Sequence, residues 1–287
     1  MSLKINRTFL KTLRGFNTAF GRNVANEQPA FKTEESTDET HFGFQKVKEG
    51  EKEHKVHKVF EDVAKSYDLM NDAMSFGIHR IWKDIFIHRL SPTENTNLLD
   101  VAGGTGDIAF RFLNYAQNSN YKNCTATICD INSAMLEEGK KRAIKLGYSP
   151  NSLSWIEGNA EKLPFNDETF TAYTIAFGIR NCTHIDKVLD EAYRVLKPGG
   201  RFLCLEFSHL ENSVAQWIYD QYSFQVIPVL GIFIAGQWQP YQYLVESIRQ
   251  FPNQETFKAM IEAAGFRIVT YENLTLGVVS IHSGFKL

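Results

Sequence analysis

The hydrophobic positions of this chain change rhythm once, near Pro92. Upstream, Val56, Val59, Phe60, Val63, Ala64 and Tyr67 recur at helical spacing, and the pattern over 78–90 predicts a second helix. Downstream, short apolar runs alternate with helical stretches, which is the signature of βαβ units around a parallel sheet. Strands are predicted at 98–101, 125–129, 153–156, 173–177 and 202–205, with helices over 106–116, 133–146 and 185–196 between them. In the last helix, Ile185, Val188, Leu189, Ala192, Tyr193 and Leu196 share one stripe, so it should pack on the sheet. An aromatic-rich, largely helical insertion occupies 207–250. A helix over 254–264, stopped by Gly265, then leads into two apolar strands at 268–274 and 277–282.

The polar ends narrow the picture. Residues 1–26 carry Lys4, Arg7, Lys11, Arg14 and Arg22 with no acid, interleaved with Leu3, Ile5, Phe9, Leu10, Leu13 and Phe16. That is the composition of a mitochondrial transit segment, the competing reading being a disordered basic tail. Residues 27–53 turn polar and acidic and read as a linker, so the folded domain is expected over 54–287. The longest apolar run, 224–235, is broken by Gln225, Pro228 and Gly231 and falls short of the roughly 18–20 residues a membrane-spanning helix needs. A net charge of -2 creates no field that would gather nucleic acid. Cys124, Cys129, Cys182 and Cys204 lack metal-site spacing, so no metal is expected and the thiols read as reduced core residues.

The densest chemical signal is LLDVAGGTGDIA at 98–109, a glycine-rich turn between a strand and a helix. Gly103, Gly104 and Gly106 allow a ligand to approach the backbone, and free amides at the helix start favour polar or anionic groups. Because Gly104, Gly106 and Ala109 also fit the dinucleotide fingerprint, the turn alone does not separate NAD from S-adenosylmethionine. Asp130, closing the second strand, suits either a pair of ribose hydroxyls or a helix cap, a role Asn132 could share. In GNAEKLPF at 158–165, Asn159 and Ala160 could read an adenine edge, or form a plain polar turn before Pro164.

Taken together, DVAGGTGD, GNAEKLPF and RVLKPGG resemble the class I S-adenosylmethionine-dependent methyltransferases. YDLMNDAMSFGIHRIWK at 67–83, RVLKPGGRFLCLEFS at 194–208 and FGIRN at 177–181 narrow the likeness to the ubiquinone and menaquinone biosynthesis C-methyltransferases, from about residue 40 to the end. The resemblance implies an α/β Rossmann-like fold, a mostly parallel seven-stranded sheet with a C-terminal antiparallel hairpin and helices on both faces. It implies S-adenosyl-L-methionine as cofactor, held by Gly104, Thr105, Gly106, Asp130, Asn159 and Ala160. The implied reaction is C-methylation of a polyprenyl methoxy-benzoquinol ring in ubiquinone synthesis. The implied setting is the matrix side of the mitochondrial inner membrane, with peripheral membrane contact, a multi-subunit coenzyme Q synthesis complex and a homodimer as partners. Ala102 stands where the general motif has its first glycine, as in this family.

Methyl transfer to carbon needs an electron-rich ring held in line with the sulfonium, and withdrawing a phenolic proton enriches that ring. The groups expected at the mouth of the sheet are Tyr67, His79, Arg180 and Asn181, with Glu206 nearby. Arg180 could stabilise a developing phenolate or simply pair with an acid, and it stays charged, so it is no base. His79 could accept a proton or serve as a hydrogen-bonded structural residue. Two rival readings stand beside this one: an NAD-dependent oxidoreductase, which leaves GNAEKLPF and the 67–83 string unexplained, and a non-catalytic scaffold of a quinone-synthesis complex.

Overall fold

The computed structural model describes residues 39–287, apart from 64–66, 211 and 237. The transit-like segment 1–26 and the first part of the expected linker lie outside the described residues.

Seven strands form one sheet: β3 (Asn97–Val101), β4 (Thr125–Asp130), β5 (Leu153–Glu157), β6 (Phe170–Ala176), β7 (Leu196–Phe207), β8 (Arg267–Leu274) and β9 (Val279–Phe285). They lie in the order β5-β4-β3-β6-β7-β9-β8, parallel from β5 to β7, with β9 antiparallel to both β7 and β8. The sheet therefore ends as the resemblance implies, and not as the all-parallel sheet of a dinucleotide fold.

Central β3 is a continuous apolar run because both of its faces are covered. Its alternating side chains feed two cores: Leu99 and Val101 join Val188, Leu189 and Ile261, whereas Leu98 joins Phe86 and Phe112 on the other side. Helix Ile185–Val195 buries Val188, Leu189, Ala192 and Val195 against the sheet. Phe86 and Phe112 are wholly buried, so Phe112→Ala should cost about 3–5 kcal/mol through lost burial and an unfilled cavity.

The expected boundary at residue 54 is corrected. A hairpin of β1 (Glu39–Phe42) and β2 (Gln45–Lys48) and the start of α1 (Glu49–Val63) lie within the stretch read as linker. Gly43, at φ 58, makes the hairpin turn. Phe42 stacks on Tyr243 at 4.2 Å, and the Phe44 amide donates to Glu246 at 3.0 Å, so the hairpin is docked on the insertion. Strand β7 also begins earlier than expected, at Leu196, because Gly199 and Gly200 exchange backbone hydrogen bonds with Lys286 beyond a register shift.

Helix α2 (Tyr67–Ser75) and helix α3 (Ile78–Leu90) precede the sheet, α3 spanning the predicted range. Within the insertion, α7 (Ser213–Gln221), a π-turn (Tyr222–Val226) and α8 (Ile227–Ala235) run on without a break, followed by α9 (Gln239–Gln250). The remaining helices are α4 (Asp107–Asn118), α5 (Ser133–Lys145), α6 (Ile185–Val195) and α10 (Gln254–Ala263).

Candidate functional site

Chain succession runs outward from β3 to β5 on one side and from β6 to β7 on the other, so β3 and β6 flank a topological switch point. Crevices form there because the loops leaving the two strands diverge. A cavity of about 430 Å³ occupies this position, walled by the turns after β3, β4, β5 and β6 and roofed by Glu49, Gly50 and Val56 of α1.

The glycine turn is shaped by close approach. Ala102 adopts φ 51, a left-handed conformation costing about 1 kcal/mol for a residue with a Cβ. Space for that Cβ exists because residue 178 is glycine: a Cβ there would lie 2.4 Å from that of Ala102. Gly104 (φ 53) turns its amide onto Asp130 Oδ2 at 2.8 Å, and Asn132 donates its own amide to Oδ1 at 2.8 Å. The Asp130 carboxylate is thereby fixed in the cavity wall, and the helix cap is a different residue: Asn132 Oδ1 accepts the Met135 amide at 3.1 Å. The cap considered for Asp130 therefore falls to Asn132. Gly106 (φ 81) lies where a Cβ would meet Trp155 at 2.8 Å.

Two acids behind the turn differ in state. Asp100 is fully buried and lines the cavity; Thr174 donates to Oδ1 at 2.9 Å, while Oδ2 has no hydrogen-bond partner. Burial pushes its pKa up to about 7, against the Thr174 hydrogen bond. Asp107, at the first turn of α4, is also penalised by burial, yet Lys83 at 2.8 Å and the nearby Arg111 and Arg142 hold it down at about 2. Sequence assigns neither acid a cofactor contact: Asp100 and Asp107 both stand in the glycine motif, and their different states arise only from burial and neighbouring charge.

Across the cavity, Asn159 Oδ1 accepts the Glu161 amide at 2.8 Å, so its side chain pins the turn and leaves its NH₂ to point elsewhere; Asn159, Ala160 and Thr105 all line the cavity. Glu161 then anchors a relay: His184 bridges Glu161 (2.9 Å) and Glu49 of α1 (3.1 Å). Lys52, also on α1, donates to the Cys182 carbonyl at 2.9 Å, and burial lowers its pKa. These tethers hold the roof down, and of their side chains only Glu161 belongs to a sequence motif, GNAEKLPF. Cys182 itself lines the cavity as a free thiol, with its pKa pushed up to about 12 chiefly by burial.

Of the groups expected to act on a ring, Asn181 lines the cavity and accepts a hydrogen bond from the Tyr243 hydroxyl at 3.1 Å. Arg180 lies beside it, paired at 2.9 Å with Glu206 in a nearly sealed salt bridge, and also donates to the Phe177 carbonyl. Its Nε is buried without an acceptor. Burial lifts the Glu206 carboxyl above its ordinary range, and Arg180 offsets part of that. Tyr219 and Tyr243 of the insertion both feel the Arg180 charge. Arg249, seated over the Tyr219 ring and paired with Asp220, keeps two further buried donors without partners; sequence reading missed it.

His79 is not among the cavity-lining residues. Because Ser75 gives its hydroxyl proton to the Asn71 carbonyl, the His79 Nδ1 must donate to Ser75 Oγ at 2.8 Å. Burial, helped by Lys83, lowers its pKa, and Asp72 lies 3.7 Å from Nε2. Tyr67 opens α2, with its side chain outside the described ones. Among the described residues no cluster of His, Cys, Asp and Glu could hold a metal ion.

S-adenosylmethionine presents a diol, a purine, a carboxylate and two cationic centres. The wall offers a fixed carboxylate (Asp130), a buried carboxylate with one oxygen unpartnered (Asp100 Oδ2) and a glycine cradle that a Cβ would obstruct, so the donor set fits. When bound, that cofactor would supply an electrophilic methyl group.

Residues 48–286 match the model of the ubiE/COQ5 methyltransferase family. The chain is 60% identical over 294 residues to the mitochondrial 2-methoxy-6-polyprenyl-1,4-benzoquinol methylase of Drosophila melanogaster, covering 99% of this chain and 97% of that protein. It is 58% identical over 278 residues to the human protein of the same name, covering 87% and 85%. Among solved structures, a SAM-dependent methyltransferase from Thermotoga maritima superposes with a TM-score of 0.54 at 18% identity, over 80% of this chain and 99% of that one. Phosphoethanolamine N-methyltransferase 2 of Haemonchus contortus, solved with S-adenosylhomocysteine, gives 0.52 at 15% identity, over 71% and 52%. These two likenesses show the fold.

Proposed function

The chain belongs to the ubiE/COQ5 methyltransferase family, and we propose that it methylates a ring carbon of a polyprenyl methoxy-benzoquinol in ubiquinone synthesis, with S-adenosylmethionine as donor. The relatives' names supply the substrate class, and their mitochondrial designation, with the basic 1–26 segment, supports a mitochondrial site. No described helix is long and apolar enough to cross a membrane. The setting proposed within the mitochondrion is the matrix side of the inner membrane, with peripheral contact. A coenzyme Q synthesis complex and a second copy are the partners.

The observation that carries the reading is the meeting of two sites at one strand end. The cavity with Asp130 and Asp100 abuts Asn181 and Arg180, the latter with a buried N–H lacking an acceptor. Asp130 is set to accept the ribose hydroxyls, Asn159 and Ala160 to meet the purine, and Asp100 to pair with the ammonium. Arg180 is held rigid by Glu206 and so would not need to reorganise as phenolate charge builds on the ring. Salt bridge and catalytic role thus coexist in one residue. Asn181, oriented by Tyr243, positions a ring oxygen. The base is then a water or the bulk solvent reached through these donors, since Arg180 stays charged and His79 lies off the cavity.

The test is an assay of the purified protein with methyl-tritiated S-adenosylmethionine and a short-tailed demethyl-quinol. Label is expected on a ring carbon. Tight binding of S-adenosylhomocysteine without any label transfer would instead favour the scaffold reading.

A further inference from the structure

The 23 consecutive helical residues from Ser213 to Ala235 have two unlike faces. The inner face holds Tyr219, which feels both Arg180 and Arg249, with Ser223 and Ile227 buried behind it. The outer face leaves Val214, Trp217, Ile218, Val229, Ile232 and Phe233 in solvent, Trp217 at 64% and Phe233 at 81% exposure. These positions follow the helical repeat across the π-turn, so they form one stripe. Phe76 extends it: its residue is held at φ 50, its side chain is 81% exposed, and its ring lies 6.5 Å from that of Tyr222. Apolar surface of this extent marks a contact.

Charge identifies what covers it. Between Ser213 and Ala235 the one charged residue is Asp220, which Arg249 neutralises, and no Lys or Arg occurs from 213 to 248. A face without cations gains nothing from anionic headgroups, and a helix that is not long and apolar enough to cross a bilayer can still lie in its surface. From this we infer that the helix Ser213–Ala235, with Phe76, docks in plane on a lipid bilayer by apolar insertion, independent of lipid charge, while its inner face closes the quinol site. The polyprenyl tail would then pass from bilayer to site around a single helix. This inference rests on the polyprenyl-quinol reading above.

Vesicles of neutral phosphatidylcholine test it. The full chain should bind them, 0.5 M salt should change that binding less than twofold, and Trp217 emission should be quenched by brominated acyl chains, the quenching disappearing in Trp217→Phe. Ile218→Glu combined with Phe233→Glu should weaken vesicle binding more than tenfold. The same variant should keep its melting temperature and its kcat/KM for a short-tailed soluble quinol within twofold, and lose more than tenfold in rate on polyprenyl quinol embedded in vesicles. Failure of the wild type to bind neutral vesicles, or its release by salt, overturns the inference. So does a dimer that the double variant dissociates while vesicle binding survives, because a second copy then covers the face. Absence of activity on the short-tailed quinol would strike the functional reading alone, since vesicle binding is read separately.

Discussion

The cofactor half and the helical insertion solve opposite problems. Around the cavity the loops are anchored within the chain, with Asp100 Oδ2 and Asn132 Nδ2 left without partners: Asp130 holds two amides, Asn132 Oδ1 caps its helix, and Glu161 holds the Thr183 and His184 amides. The insertion instead keeps buried donors without acceptors on its inner side, at Arg249, and apolar side chains in water on its outer side. Buried donors and exposed apolar stripes both cost free energy unless something else meets them. One half is therefore anchored largely within the chain, and the other leaves unmet donors inside and an apolar face outside.

Substitutions can break that contrast. The largest effect is expected at Arg180, where the two halves meet. Arg180→Lys retains a charge for Glu206 but withdraws the Nε–H, so kcat should fall by about 10²–10³ while affinity for S-adenosylhomocysteine stays within about threefold. Calorimetry with single-turnover kinetics decides; an equal loss of affinity would move Arg180 into the cofactor half. Next, Asp130→Ala removes a charged acceptor and should weaken S-adenosylhomocysteine binding on the order of 100-fold by titration calorimetry.

The third effect depends on pH. Asp100 has its pKa raised to about 7, and a bound ammonium favours its ionised form, so below pH 7 the ligand must displace a proton. Affinity should then fall about tenfold per unit as pH drops below 7 and level off above it. In Asp100→Asn that slope should vanish, and a slope that persisted would assign it to another group. The smallest effect is expected at the roof, where Glu49→Gln weakens a partly exposed tether to His184. Stopped-flow release of the product cofactor should quicken by about two- to fivefold, in line with about 0.5–1 kcal/mol for such pairs.

The same contrast explains what the amino-acid sequence disclosed. Strands β3, β4 and β5 lie within a residue of their expected bounds because their apolar runs are bounded by turn residues, and Asp130 stands in the cavity wall at the end of the second of them. The hairpin Glu39–Lys48 reads as linker in the sequence because its four-residue strands carry few apolar side chains and gain their place from Phe42 stacking on Tyr243, some 200 residues away. Glu49, Lys52 and His184 were missed for a related reason: their partners are set by tertiary packing, and no local spacing signals them. Asp100 sat in plain view within the motif, but its missing partner at Oδ2 is a property of the folded wall.

Cys182 carries a consequence for survival in the presence of the product's chemistry. Oxidised quinones are electrophiles that arylate sulfur, and the attacking species is the thiolate. With its pKa pushed up to about 12, chiefly by burial, the Cys182 sulfur is held as the thiol, the form that does not make this attack.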